Sequence, residues 1–312
     1  MSVLVYIITY LSIFIFLGAV LKRIVAYIKN PIHVRWELYP VPHEGGGRAE
    51  YGGSYLEEQE WWNKKREISK LGELKVMIPE MLFLKAVWEH NRPLWYVSFP
   101  FHFGLYLIMA FLGTLFISVV AGLAGLGGAS FMVPIAALTN FLGPAGFLLA
   151  ICGAIGLLFK RLTDESLKNY SSPEHYFNLL LFIAAIGAAT LTWLFVDPTF
   201  AIPKKYITDL ITFNFVEIES GLFIVAVLLC VLTIAYIPLT HMSHFFMKYF
   251  LYHDIRWGDE PNINTPETDA KIGVVLNYPV SWSASHIAGH GKETWAEVAT
   301  FNPVAEPAKE KE

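Results

Sequence analysis

Between Pro93 and Phe159 the chain runs for 67 residues without one Asp, Glu, Lys or Arg. A bilayer-spanning helix uses roughly 20 mostly apolar residues, so this run is too long for one helix. The Gly122-Leu-Ala-Gly-Leu-Gly-Gly128 stretch ahead of Pro134 supplies a turn, which makes the run a hairpin of two spans. Three further charge-free runs, Val3 to Leu21, His175 to Val196 and Ser220 to Met247, bring the expected count to five. The first ends at Lys22-Arg23 and lacks the basic leader and small-residue cleavage site of a signal peptide, so it reads as a retained span. Composition agrees. Hydrophobic residues make up 54% of the 312 and charged residues only 16%, with a mean hydropathy of +0.45, against about 25% charged in ordinary soluble domains.

The expected fold is therefore all-α, an integral membrane five-helix bundle with a cytoplasmic loop and an irregular cytoplasmic C-terminal tail. The expected segments are a first helix over 1–28, a loop over 29–93 and four spans near 94–123, 131–159, 175–196 and 215–247, followed by a partner-binding tail over 248–312. Orientation follows from positive charge. The segments 22–93, 160–174 and the tail lie on one side and hold 21 of the 23 Lys and Arg; only Lys204 and Lys205 lie on the other. This places the N-terminus outside and the tail in the cytoplasm of a cell with an inner (cytoplasmic) membrane.

Several classes drop out. A net charge of −4 gives no footing for a nucleic-acid partner. Cys152 and Cys230 lie far apart inside apolar runs, and two thiols cannot supply the four usual ligands of an iron–sulfur cluster. The Gly45-Gly46-Gly47 loop lacks the spacing of a nucleotide-binding fingerprint. A mixed-charge stretch over 57–75 reads as helical, and Trp257, Trp282 and Trp295 in the tail read as contact points for another subunit.

The chemistry concentrates in histidines. An ionisable side chain within a bilayer is costly and functional by default. His102 sits ten residues beyond Arg92, about 15 Å into its helix. His241 and His244 precede Lys248 by seven and four residues on a helix running the other way, at comparable depth. Two neutral imidazoles facing each other across a bundle make an axial pair for haem iron; each could instead serve as a hydrogen-bonding strut. Gly113, eleven residues from His102, falls on nearly the same helix face and would let a porphyrin approach the backbone. Lys160, Arg161 and Lys248 stand where propionates would need neutralising. His175 opens the fourth span, where it reads either as a helix cap or as a contact for a quinone or a second haem.

These residues resemble a known family. The motif Leu94-Trp95-x-x-Ser98-x-Pro-Phe-His102-Phe-Gly104 in the second span and Ile237-Pro238 followed by His244 in the fifth are similar to the gamma, cytochrome b, subunit of respiratory nitrate reductase. The segments 31–44, 249–257 and 280–287 resemble a branch of that family, the membrane subunits of menaquinone-linked complexes built on heterodisulfide-reductase-like iron–sulfur proteins. The resemblance implies haem b held by His102 and His244, quinone as substrate, and a cytoplasmic iron–sulfur partner, with further subunits such as a multihaem cytochrome c. The family's outer haem pair falls near Leu112 and Ala226, neither of which can ligate iron. A second haem is therefore unsupported at the outer face, and the quinone contact moves to His175 and His241, with Glu217 or Glu219 as the outer-side alternative. Two rival readings stay open at this point: a haem subunit fed from outside by a multihaem cytochrome without quinone, and a non-redox membrane anchor or transporter.

Overall fold

The computed structural model describes residues 2–29, 45–47, 58–60, 63–65, 67, 69–244, 246–247, 266–280 and 293–300. The resemblance motifs at 31–44 and 249–257, most of 280–287, and the tail tryptophans Trp257 and Trp282 lie outside them. The chain divides into two compact units, Met1–Val20 with Leu74–Ser243, and Leu21–Glu73 with His244–Glu312. Every element of regular structure among the described residues is helical; the one extended pairing is an isolated bridge between Pro279 and Thr294.

Five helices are long and apolar enough to cross a membrane. They are α1 (Ser2–Lys29), α4 (Arg92–Leu123), α5 (Met132–Thr163), α7 (Pro173–Phe195) and α9 (Gly221–Tyr236, continued as a 3-10 turn to Leu239). Between α1 and α4 lie α2 (Lys70–Leu82) and α3 (Lys85–His90). A single turn, α6 (Glu165–Asn169), joins α5 to α7, and α8 (Ala201–Ile211) lies between α7 and α9. The apolar side chains are arranged as lipid demands. Many large ones point outward, with Phe14 70% and Val133 72% exposed, while the interior packs large ones such as Phe101 and Leu115 against small and hydroxylated ones such as Ala150, Ala154 and Thr139. Water would not tolerate that surface.

The expected glycine turn is present. α4 ends at Leu123, Gly125 adopts φ +76°, a left-handed value open to glycine without strain, and the Leu126 N–H donates to the Ala121 carbonyl at 2.8 Å. The two arms then run antiparallel at very short range. A β-carbon placed on Gly104 would lie 2.8 Å from the Ala150 Cα, and one on Gly153 2.6 Å from the Phe101 Cα. Along this seam Thr139 donates across to the Thr114 hydroxyl at 2.9 Å. α7 adds the third wall, with Phe182 edge-on to Phe101 at 5.3 Å.

Two boundaries differ from the sequence expectation. The fifth span reads from sequence as 215–247, but the α-helix begins at Gly221 and ends at Tyr236. Ser220 caps its start by accepting from the Phe223 N–H, and Pro238 has no N–H to continue the ladder and pushes the chain into 3-10 turns at Ile237–Leu239 and His241–Ser243. The helical stretch expected over 57–75 starts only at Lys70, where the Ser69 hydroxyl accepts from the Gly72 N–H.

At the end of the bundle opposite Lys160 and Arg161, α8 docks on the first part of α1 and on α9. Tyr6 stacks on Tyr206 at 4.9 Å, Thr9 shares a 2.6 Å hydrogen bond with the Tyr206 hydroxyl, and Tyr10 donates to the Leu210 carbonyl at 2.6 Å. Burial pushes the Tyr206 phenol above its usual range. The turn into α8 hangs on Asp197, 6% exposed, which accepts from the Thr199 N–H and hydroxyl and from the Ile202 N–H at 2.6 Å. Asp197→Ala strands those donors in a buried turn and is expected to lower stability by about 1–3 kcal/mol, read as a lower melting temperature in detergent. An unchanged melt would show the turn to be held by packing alone.

In the second unit, α10 (Pro266–Leu276) and α11 (Trp295–Thr300) flank the bridge at Pro279 and Thr294. Val280 is fully buried there, and Thr294 and Glu297 cap α11 reciprocally, which fixes Trp295 at its start.

Candidate functional site

His102 lies in the half of α4 nearer Arg92. The start of that helix is held by the Asn91 side chain, which accepts from the Leu94 N–H, and by Pro93 in its first turn. Around it is an aromatic ladder. Trp95 stacks on Phe99 at 4.5 Å, Phe99 on Phe103 at 5.4 Å, the Arg92 guanidinium sits 4.6 Å over Trp88, and the Trp95 indole donates to the Phe83 carbonyl. Such amphipathic rings belong at a membrane–water interface.

Phe101 and Gly104 face α5, so His102, one residue after Phe101, is turned away from the seam and is half-buried. Its Nδ1 lies 2.8 Å from the Ser98 carbonyl. A carbonyl can only accept, so Nδ1 carries the proton, which in the neutral imidazole leaves the lone pair on Nε2. That is the tautomer and second-sphere bond characteristic of a metal-ligating histidine. A β-carbon on Gly113 would meet nothing within 4 Å, so that part of α4 presents an open backbone. His244 is exposed and helical and belongs to the second unit.

The structure does bring His175 and His241 together. α7 begins with a capping box. The Ser172 backbone N–H donates to His175 Nδ1 at 2.9 Å, so His175 closes the helix start as the capping alternative anticipates. The turn at His241–Ser243 carries His241 back over this cap, with ring centroids 5.1 Å apart, and His241 Nδ1 lies 3.0 Å from Glu174 Oε1. Because α9 stops at Tyr236, His241 sits in a turn at the end of the bundle and not within a helical span. Arg161 completes the group from α5: its guanidinium donates to the Ser171 hydroxyl at 2.7 Å and its carbonyl accepts from the Tyr176 hydroxyl. Nearby, Asp164 caps α6, and the Ser166 hydroxyl hydrogen bond holds its carboxyl below the usual carboxylate range.

His175 accepts at Nδ1 and so holds its proton on Nε2, while His241 turns its Nδ1 toward the Glu174 carboxylate. Both members of the Glu174–His241 pair are about half exposed, at 46% and 49%. Glu174→Gln should therefore change stability by less than about 1 kcal/mol, read in a thermal melt; a large loss would mean that the pair is a structural clamp. Glu217 and Glu219, the outer-side alternative, lie in the segment just before the Ser220 cap.

Sequence reading missed Glu174 and Asn178. Asn178 is a buried amide one turn along α7 from His175. The available signal was a polar residue at the third position after a histidine in an otherwise apolar run.

Five membrane-length helices, joined without a strand among the described residues, define a multi-pass helical membrane protein. No protein-family model, curated protein or solved structure matches the chain.

Proposed function

We propose that this chain is a b-type cytochrome subunit of the inner (cytoplasmic) membrane, with its N-terminus outside and its tail in the cytoplasm. It passes electrons between a menaquinone or other quinone pool and a cytoplasmic iron–sulfur partner of the heterodisulfide-reductase type. The observation that carries the reading is the 2.8 Å bond from His102 Nδ1–H to the Ser98 carbonyl inside a membrane-length helix. It prepares Nε2 as a ligand atom, and a membrane imidazole so prepared fits iron better than it fits a plain strut. His102 and His244 would hold the haem iron, the second assigned from the Ile237-Pro238…His244 motif, and the open backbone at Gly113 suits a flat ring. Haem bound there supplies one-electron transfer. His175 and His241, at the basic end of the bundle, are the quinone-side contacts, and the outward face of large apolar side chains meets lipid.

The test is to purify the full chain with its native companions and measure haem per chain as the pyridine haemochrome. The expected result is a low-spin b-type reduced-minus-oxidised spectrum with one haem per chain, reducible by quinol in membranes. Colourless protein overturns the reading, and haem that quinol cannot reduce overturns its quinone half.

A further inference from the structure

Buried hydroxyls in this bundle find partners in their own helices: Thr190 donates to the Ile186 carbonyl at 2.7 Å, Thr192 to Ala188 at 2.8 Å and Thr233 to Leu229 at 2.7 Å. Asn178 does not. It is 5% exposed, and among the described residues neither its amide nitrogen nor its oxygen has a hydrogen-bond partner. Leaving a buried donor or acceptor unmet costs about 1–3 kcal/mol for each group. An amide held in that state within an apolar bundle marks a place where something else supplies the missing bonds.

Its position narrows what that is. Residues three and four apart share a helix face, so Asn178 belongs to one stripe of α7 with His175 before it and Phe182 after it. At 1.5 Å per residue it lies about 4.5 Å deeper than His175 and about 6 Å short of Phe182. Phe182 meets Phe101 edge-on at 5.3 Å, and the Phe101 ring meets the His102 ring edge-on, also at 5.3 Å. Asn178 thus stands between the interfacial imidazole pair and the layer that holds His102. Its neighbours on α7, Leu179 and Phe182, are buried and apolar. A primary amide both donates and accepts, so one such group can hold an oxygen that changes between carbonyl and hydroxyl.

We infer that Asn178 anchors one ring oxygen of a quinone or quinol head group on the His175–His241 side of the bundle. Asn178 acts as a positioning residue, with the donor Nε2 of His175 and the neighbouring His241 ring at the mouth of the site. The identity of the ligand rests on the electron-transfer reading above; the need for a polar guest rests on the amide alone.

The probe is a tritiated short-chain 1,4-naphthoquinone, measured by equilibrium binding to the purified full chain with its companions. Wild type is expected to bind, Asn178→Leu to weaken binding at least tenfold, and Asn178→Gln to restore part of it. The ligand-free melting temperature should not fall in Asn178→Leu, which removes two unmet polar groups, and any haem spectrum should be unchanged in both variants, which separates lost anchoring from lost folding. Equal binding by Asn178→Leu and wild type, or no binding by wild type, overturns the inference; the first of these is the signature of an amide that holds only an ordered water. Naphthoquinone binding that depends on Asn178 in a haem-free wild type supports the inference while ending the haem reading. Haem-loaded protein whose binding ignores Asn178 ends the inference alone.

Discussion

His102→Ala is expected to abolish the low-spin b-type spectrum completely while leaving the bundle folded. The imidazole bonds to the Ser98 carbonyl one turn earlier in its own helix, and its ring is turned away from the α4–α5 seam. Removing it therefore takes away a ligand atom without opening the tight packing beside it. The lost side-chain hydrogen bond is worth only about 1 kcal/mol. His244→Ala should give the same spectral loss. His241→Ala should keep the spectrum and slow quinol-driven reduction, because His241 lies in the turn beyond α9 against Glu174. A low-spin spectrum surviving in His102→Ala would sink the ligand assignment, whatever the other variants do.

Gly153→Ala is expected to be the most damaging single-methyl change in the bundle. The added carbon would lie 2.6 Å from the Phe101 Cα and 2.7 Å from its Cβ, so the obstacle is backbone and no rotamer change relieves it. The α4 and α5 helices must move apart or bend. Overpacking costs typically 1–3 kcal/mol, and a backbone contact falls at the upper end of that range. Gly187→Ala on α7 is the matched control, because a β-carbon there meets nothing within 4 Å. By helix propensity alone it should be neutral or stabilising by about 0.5–1 kcal/mol. The two substitutions are chemically identical, so opposite shifts in melting temperature isolate the contact; equal shifts would refute the seam.

The polar cluster at the far end of the bundle shows where sequence reading ran out. Tyr6, Thr9 and Tyr10 sit at helical spacing on one face of a span that otherwise reads as uniformly apolar, and their partners Tyr206 and Leu210 lie in a segment that reads only as a loop with two lysines. The Tyr6–Tyr206 stack and the helix α8 that carries it exist because Asp197 ties the turn before α8 and lets that segment fold back onto α1. Likewise the capping role of His175 was one of two readings from sequence, whereas its contact with His241 needed the break that Pro238 imposes on α9.

What the sequence determined by itself was the membrane-helix count, the glycine turn between α4 and α5, and the histidines that fall inside or beside the spans. Each of these follows from a transfer free energy or a backbone preference that a residue carries on its own, whoever its neighbours are. Tertiary structure alone decided that Phe101 and Gly104 face α5, that His241 lies over the α7 cap, and that Asn178 is left without a partner among the described residues. Those outcomes depend on which helix faces meet. In an apolar bundle that choice is made by van der Waals fit and a few hydrogen bonds between residues far apart in the chain, which no local pattern encodes.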